Sequence, residues 1–206
     1  MIEKLLKERI VILDGAMGTM LQNSRVARHN LPLNDLLNEV NPDLIEDIHL
    51  QYIDAGADII ETNTFNSNAI SLAEYNLQDK AYKFNLKGAR IACRAAASAT
   101  ARQNSRRVFV AGCIGPTSVM LSLSPDVSRP DYRAISFEEM ALAYSEQVRG
   151  LIDGGADLLL VETIFDSINA RAALYAISSV QQEMGTSLPV MVSATVNDCN
   201  GNILTG

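Results

Sequence analysis

Residues 54–62, DAGADIIET, and residues 153–163, DGGADLLLVET, decide the fold, because the same unit occurs twice in one chain. Each copy has a glycine suited to ending a helix, then a short aliphatic run, then Glu-Thr. The runs are too short for helices and almost wholly apolar, which is typical of parallel strands covered on both faces. The repeat therefore predicts two helix-to-strand units of one architecture.

Three further strands extend this pattern. The five predicted strands are Ile10 to Leu13, Asp58 to Glu61, Val108 to Cys113, Leu158 to Glu162, and Pro189 to Ser193. The four predicted helices are one capped by Asn41 that runs from Pro42 to about Ala55, one from about Leu77 to Ala101, one capped by Ser136 and Glu139 that ends near Gly154, and one from Ser167 to Met184. Alternating strands and helices imply a parallel sheet with right-handed crossovers.

The strand ends distinguish a doubly wound sheet from a (β/α)8 TIM barrel. No GxGxxG motif follows the first strand, and polar residues follow every strand, where a barrel collects its functional groups. We therefore predict an α/β fold of the TIM-barrel type. Five strands do not close such a barrel, so we expect residues 1–206 to be the amino-terminal portion of one domain, with three strand-helix units missing.

Composition excludes several classes of function. The chain has 206 residues, 48% of them hydrophobic, which is enough for the core of one domain. Its formal charge is -7 and its basic residues are scattered, so nucleic acid is not an expected partner. The sequence has no apolar run of about 20 residues, and its first ten residues, MIEKLLKERI, mix charged with apolar positions, unlike a signal peptide. We expect a cytoplasmic protein without a membrane segment.

The thiols and imidazoles do not form a recognisable metal site. Cys93, Cys113 and Cys199 lie far apart without a CxxC pair, so we interpret them as reduced thiols. The first two are placed in a helix and a strand, where cysteine usually acts as a small hydrophobic residue. His49 and His29 are interpreted as packing or surface residues. We therefore assign no metal ligand and no catalytic residue within this chain.

Candidate binding residues follow the predicted strands. Asp14-Gly15 follows the first, Glu61 with Thr62, Asn63 and Thr64 ends the second, and Glu162 ends the fourth. In a barrel these residues share one mouth. The carboxylates could act as acid and base, ligate a hard metal ion, or bind a substrate ammonium, and their chemistry alone does not choose.

Backbone and loop features add to this candidate site. Glycines 15 and 18 would expose N–H groups beside Asp14, in a geometry suited to a carboxylate or a phosphate. The proline-rich segment from Gly112 to Tyr132 is longer than most connections, so we expect it to cover the mouth and to contribute to function.

Seven blocks of sequence occur in one order over nearly the whole chain: ILDGAMGTMLQ (12–22), NDLL (34–37), GADIIETNTFNSN (56–68), GPT (115–117), SPDVSRPDYR (124–133), GGADLLLVETIFD (154–166) and NILTG (202–206). Together they resemble cobalamin-dependent methionine synthases, specifically their amino-terminal homocysteine-binding domain. An ordered series of matches is far more specific than any lone motif.

The resemblance implies a (β/α)8 barrel that binds L-homocysteine. Asp14 and Glu162 would hold the substrate ammonium, assisted by backbone amides near Gly15 and by the polar groups of Thr62, Asn63 and Thr64. A zinc ion would bind the sulfur as a thiolate. Methylcobalamin, recharged from methyltetrahydrofolate, would supply the methyl group from other domains of the same polypeptide.

Two departures from that family lead to further expectations. The segment between Gln22 and Asn34 is shorter than in the family, and the cysteines that hold its zinc would lie beyond Gly206. We therefore expect the 206-residue chain by itself to bind no catalytic zinc and to transfer no methyl group. Its open barrel edges would favour self-association.

Two alternatives to this function remain open at the level of sequence. Another barrel enzyme, such as an aldolase or a phosphate-binding synthase, could use Asp14 and Glu162 as acid and base, although no Schiff-base lysine stands at a strand end. The chain could also be an inactive barrel fragment that serves only in folding or interaction.

Overall fold

The computed structural model describes residues 2–24, 31–102 and 106–205. Its centre is a four-stranded sheet in the order β1 (Ile59–Glu61), β2 (Phe109–Ile114), β3 (Leu158–Ile164) and β4 (Val190–Ala194). All three pairings are parallel. Four of the five predicted strands and the parallel sheet are confirmed. His29 and the middle of the short segment before Asn34 lie outside the described residues.

The four long predicted helices are present, and four short ones accompany them within the described residues. The helices are α1 (Ile2–Glu8), α2 (Met17–Asn23), α3 (Leu37–Val40), α4 (Pro42–Asp54), α5 (Ala69–Ala73), α6 (Ala81–Arg102), α7 (Phe137–Asp153) and α8 (Ser167–Met184), with 3-10 turns at Asn34–Leu36 and Gln78–Lys80. The additional helices have seven residues or fewer, too few to show a clear helical periodicity in sequence.

The capping signals in the sequence formed as expected. The Asn41 side chain accepts from the backbone of Leu44 at the start of α4. Ser136 and Glu139 form the reciprocal capping box of α7, in which each side chain accepts from the other residue's backbone N–H. These contacts satisfy amide groups that have no partner within the helix, so they help to fix where the helices begin.

The predicted first strand, Ile10 to Leu13, is reduced to a single parallel bridge between Leu13 and Ile59. Ile10 is 83% exposed and Ile12 is 51% exposed. Val190 and Val192 of β4 are also exposed. The expectation that every strand is covered on both faces is therefore wrong at the two edges of the sheet, because no described element packs over these side chains.

The two faces of the sheet carry different cores. Leu159 and Val161 of β3 belong to a large apolar cluster that includes residues of α7 and α8. Leu158 and Leu160, on the opposite face, pack with Ala111 of β2 and with α1. This alternation follows the two-residue period of a strand, and it directs Glu162 to the same face as Leu160.

No helix within the described part of the chain is long and apolar enough to cross a membrane.

Candidate substrate-binding site

A cavity of about 450 Å³ lies at the carboxyl end of the sheet. Its walls are formed by residues 14–18, 34–35, 61–63, 65–66, Cys113 and Glu162. Three carboxylic acids of the wall lie at this end of the sheet: Asp14 follows the segment bridged to β1, Glu61 ends β1, and Glu162 lies near the end of β3. A fourth, Asp35, comes from the 3-10 turn Asn34–Leu36. The structure therefore brings the two carboxylates singled out in the sequence to one cavity, together with the third that the sequence left open.

The carboxylate of Asp14 is held by the backbone of Glu61. Both of its oxygens accept from the backbone N–H of Glu61, at 3.2 and 3.1 Å. Burial raises the pKa of Asp14 to about 7, and the negative charge of Glu162 adds to the increase. Asp14 is thus fixed in place, and its charge is costly until a positive group arrives.

The two glutamates differ in what surrounds them. Burial, followed by the charges of Glu162 and Asp14, raises the pKa of Glu61 to about 8. Burial also raises the pKa of Glu162, while the thiol of Cys113 opposes the increase by donating to its Oε1 atom. At neutral pH the Glu61 carboxyl is therefore mostly protonated, whereas Glu162 has a neighbour that stabilises its charged form.

The charge of the cavity favours a cationic ligand. No lysine or arginine is among the described residues of its wall. Within the described ranges, no three His, Cys, Asp or Glu side chains are grouped so that they could hold a metal ion. A cluster of carboxylates that lacks both a cation and a metal geometry is suited to a ligand that brings its own positive group, such as an ammonium.

A family model described as homocysteine S-methyltransferase matches residues 11–206. This chain belongs to the homocysteine S-methyltransferase family. The family is one of methyltransferases that act on homocysteine, so the function predicted from the sequence blocks is confirmed at this level. The resemblance to the homocysteine-binding domain of methionine synthases is consistent with it.

Solved structures of the homocysteine methyltransferase MmuM from Escherichia coli are similar to this chain. The oxidized form is 27% identical with a TM-score of 0.75, over 98% of this chain and 68% of that one. The metallated form is 27% identical with a TM-score of 0.73, over 98% and 70%. The chain thus shares the TIM-barrel-like fold of this methyltransferase, while its expected five of eight units stay a prediction.

Gly15 lies in the wall of this cavity, and its small size has a structural reason. A Cβ atom at Gly15 would come within 3.0 Å of the Tyr52 ring. The Tyr52 hydroxyl donates to the carbonyl of Ala16 at 3.2 Å, which ties the segment after Asp14 to α4. A larger residue at this position would displace either the ring or the segment that carries Asp14.

The side chains of Thr62, Asn63 and Thr64 already form hydrogen bonds within the protein. The hydroxyls of Thr62 and Thr64 lie 2.7 Å apart, and Thr64 donates to the carbonyl of Cys113. The Asn63 amide donates to Asn38 and to the backbone of Asn34. Thr62 and Asn63 are in the wall, but Thr64 is fully buried behind it. Direct contact of these side chains with substrate stays a prediction, and for Thr64 the geometry opposes it.

Cys113 and Asp35 are wall residues that sequence reasoning missed. Cys113 is buried as expected, but its thiol contacts Glu162 and therefore does more than fill space. Asp35 accepts from the backbone of Asn66 at 3.0 Å and from the hydroxyl of Ser67 at 2.6 Å, so it joins the NDLL turn to the segment after β1. The alternation of β2 could have indicated that Cys113 shares a face with Ala111.

The long segment from Gly112 to Tyr132 is partly strand and partly an anchored loop. Its first residues belong to β2, which ends at Ile114. Beyond Gly115 it packs on the start of α8, where Asp166 accepts from the backbone and hydroxyl of Ser122 and Asn169 accepts from the backbone of Leu121. Residues 116–132, all of them described, are not part of the cavity wall, so a direct role at the site stays a prediction.

Proposed function

We propose that this protein binds L-homocysteine in the cavity at the end of the sheet and orients its sulfur for methylation. The observation that supports this most strongly is the group formed by Asp14, Glu61 and Glu162 in a wall that has no lysine or arginine among its described residues, in a chain of this family. Asp14 and Glu162 hold the ammonium by charge-assisted hydrogen bonds. The backbone near Gly15 is the proposed neighbour of the substrate carboxylate.

The role of these residues is mainly to orient the substrate. Asp14 is anchored to β1 through Glu61, and Glu162 is carried by β3, so both carboxylates stand on rigid elements. Holding the amino acid end at two points leaves the side chain with few orientations, and this lowers the entropic cost of bringing the sulfur to a methyl donor.

We propose that the zinc implied by the resemblance has its ligands outside the described residues. Cys93 lies in α6, Cys113 in β2 and Cys199 in an exposed turn, and they do not converge. The residues described here therefore act on the amino acid end of the substrate. Methylcobalamin and methyltetrahydrofolate, bound by other domains of the same polypeptide, are the proposed methyl source.

Self-association is a further part of the proposal. The exposed valines of β4 and the exposed isoleucines at positions 10 and 12 are apolar side chains on the two edges of the sheet. Light scattering of the purified chain would measure this, and a monomer at all concentrations would contradict it.

The test of the proposed grip compares two ligands that differ only in the ammonium. Calorimetric titration with L-homocysteine should show binding, and 4-sulfanylbutanoate, which lacks the ammonium but keeps the thiol and the carboxylate, should bind at least about tenfold more weakly. A phosphorylated sugar should not bind, because the carboxylates repel a phosphate. Equal affinity for the two thiols would contradict the proposal, and binding of the sugar phosphate would favour the other class of barrel enzyme.

A further inference from the structure

The wall of the cavity contains one thiol, at Cys113, whose place in the sheet suits it to act on a carboxylate. Cys113 is only 2% exposed, and its Sγ atom donates to Oε1 of Glu162 on the neighbouring strand. β2 and β3 pair in register at Cys113 and Leu160, so Glu162 follows two residues further along the same face. The contact thus arises from the pairing of two strands.

The backbone of Cys113 is held on both sides of its side chain. Its N–H donates to the hydroxyl of Thr62 at 2.9 Å, and its carbonyl accepts from Thr64 at 2.8 Å and from the amide of Gln147 at 3.3 Å. All of these atoms are in buried surroundings, where a hydrogen bond is difficult to exchange for water. The thiol is therefore presented to Glu162 from a fixed position.

The chemistry of the contact determines which group donates. Burial and the negative charge of Glu162 raise the pKa of the Cys113 thiol well above its ordinary value. The sulfur therefore keeps its proton at neutral pH, and it is a donor to the carboxylate and not a nucleophile. The contact uses Oε1, so Oε2 of Glu162 can accept from an ammonium in the cavity.

We propose that Cys113 is a positioning residue, whose thiol fixes the orientation of the Glu162 carboxylate for the substrate ammonium. This inference rests on the proposed function, since it requires that Glu162 contacts the substrate. A glutamate has three rotatable side-chain bonds, and fixing them before binding reduces the entropy lost when the ammonium is held. A cysteine that only filled space in β2 would have no effect through Glu162.

The experiment measures the dissociation constant of L-homocysteine by calorimetry, under reducing conditions, for variants of the protein. Cys113→Ala and Cys113→Val both remove the donor, one with a smaller and one with a larger side chain, and should weaken binding about tenfold. Cys113→Ser keeps a donor and should stay within about threefold of the parent. Thermal unfolding identifies any variant that has lost its fold.

A matched control and a double variant separate positioning from packing. Cys93→Ala removes a thiol that donates to the carbonyl of Gly155, away from the cavity, and should leave the dissociation constant unchanged. In a Glu162→Gln background, Cys113→Ala should change the constant by less than about twofold, because residues that act through one group are not additive.

Each outcome decides between the two proposals. Parent-like affinity in folded Cys113→Ala or Cys113→Val, or a full tenfold loss in the Glu162→Gln background, would overturn the positioning role while leaving the ammonium grip in place. A Glu162→Gln variant with unchanged affinity would overturn the grip itself, and the role of Cys113 with it. Rescue by serine together with non-additivity would support both.

Discussion

The two copies of the repeated unit, residues 54–62 and 153–163, form the same structure up to the strand and differ at its end. Gly56 and Gly155 both adopt positive φ angles, of 115° and 96°, at the end of a helix. In both copies the amide after this glycine donates to the carbonyl five residues earlier, at 3.0 and 3.1 Å. The shared sequence thus ends a helix in the same way in both copies, with a glycine in a backbone conformation that would be strained for a residue with a side chain.

The aspartate two residues after each of these glycines joins its unit to an earlier extended segment of the chain. Asp58 accepts from the backbone N–H of Ile12, and Asp157 accepts from that of Val110, at 3.0 and 2.9 Å. The backbone of each aspartate donates back to the same residue. One residue type at one position of the repeat therefore aligns two pairs of neighbouring segments.

The Glu-Thr ends of the two copies have diverged. Thr62 is buried, and its hydroxyl is used by Thr64 and by the backbone of Cys113. Thr163 instead has a φ of 56° at a bulge in β3, where the register shifts before Ile164. Such a conformation is strained for a β-branched residue and is typical of functional sites. The bulge keeps Glu162 on the cavity face and returns Ile164 to the core.

The largest expected effect compares Glu162 with its counterpart Glu61. Glu162→Gln should weaken L-homocysteine binding by roughly 1 to 3 kcal/mol, the scale for losing a charged hydrogen-bond partner. Glu61→Gln should cost less than about 1 kcal/mol at pH 7, because the pKa of about 8 keeps this carboxyl mostly protonated. Calorimetry measures both, and equal losses would contradict the assignment of separate roles.

The next effect compares the two aspartates of the repeat. The Asp58 side chain is 3% exposed and pairs with Arg9 and Arg106, whereas that of Asp157 is 26% exposed and pairs with Arg107. Asp58→Asn should lower the free energy of unfolding by roughly 2 kcal/mol, and Asp157→Asn by less than about 1 kcal/mol. Urea unfolding measures both, and the reverse order would break the comparison.

Acid should reduce the difference in the free energy of unfolding between the parent protein and the Asp58→Asn variant. The Arg9 hydrogen bond, opposed by burial, lowers the pKa of Asp58 from 3.8 to about 2. A carboxyl group whose pKa is lowered by folding stabilises the folded protein at pH values above the pKa that the group has in the unfolded chain. This contribution is lost as the pH falls from about 4 to about 2. A constant difference across that range would show that the charge of Asp58 is not what stabilises the junction.

A smaller effect concerns the pH dependence of ligand binding, with L-methionine as a probe that has no titrating thiol. The raised pKa values of Asp14 and Glu61, about 7 and about 8, mean that protons compete with the ligand ammonium. Affinity should rise roughly tenfold from pH 6 to pH 8 as the carboxyls become charged. In the Glu61→Gln variant the affinity should level off at a lower pH than in the parent. An affinity that does not change with pH in the parent would contradict competition between protons and the ligand ammonium.

The smallest effect compares the two threonines. Thr163→Gly should raise the free energy of unfolding by up to about 1 kcal/mol, because relief of the left-handed strain exceeds the added flexibility of the unfolded chain. Thr62→Gly should lower it, since the change removes the partner of two buried hydrogen bonds. Thermal unfolding measures the signs, and a loss of stability at both positions would show that the bulge is not strained.

The sequence by itself determined the alternation of strands and helices, the parallel sheet and the meeting of Asp14 with Glu162. These follow from local patterns: apolar runs, capping residues and helix-ending glycines. The carboxyl ends of parallel strands share one edge, so residues after them converge without knowledge of register. The blocks of sequence predicted the homocysteine methyltransferase family because each block is itself a local pattern, a continuous run of residues that can be recognised without the structure.

Only the tertiary structure decided how the site residues are used. The reduction of the Ile10 to Leu13 strand to one bridge, the burial of Thr64 behind the wall, and the thiol of Cys113 on Glu162 all depend on which segments pack together. The Glu-Thr pairs of the repeat are identical in sequence, yet their backbone conformations differ because β3 contains a bulge. Contacts between residues far apart in the chain set these outcomes, and no local pattern encodes them.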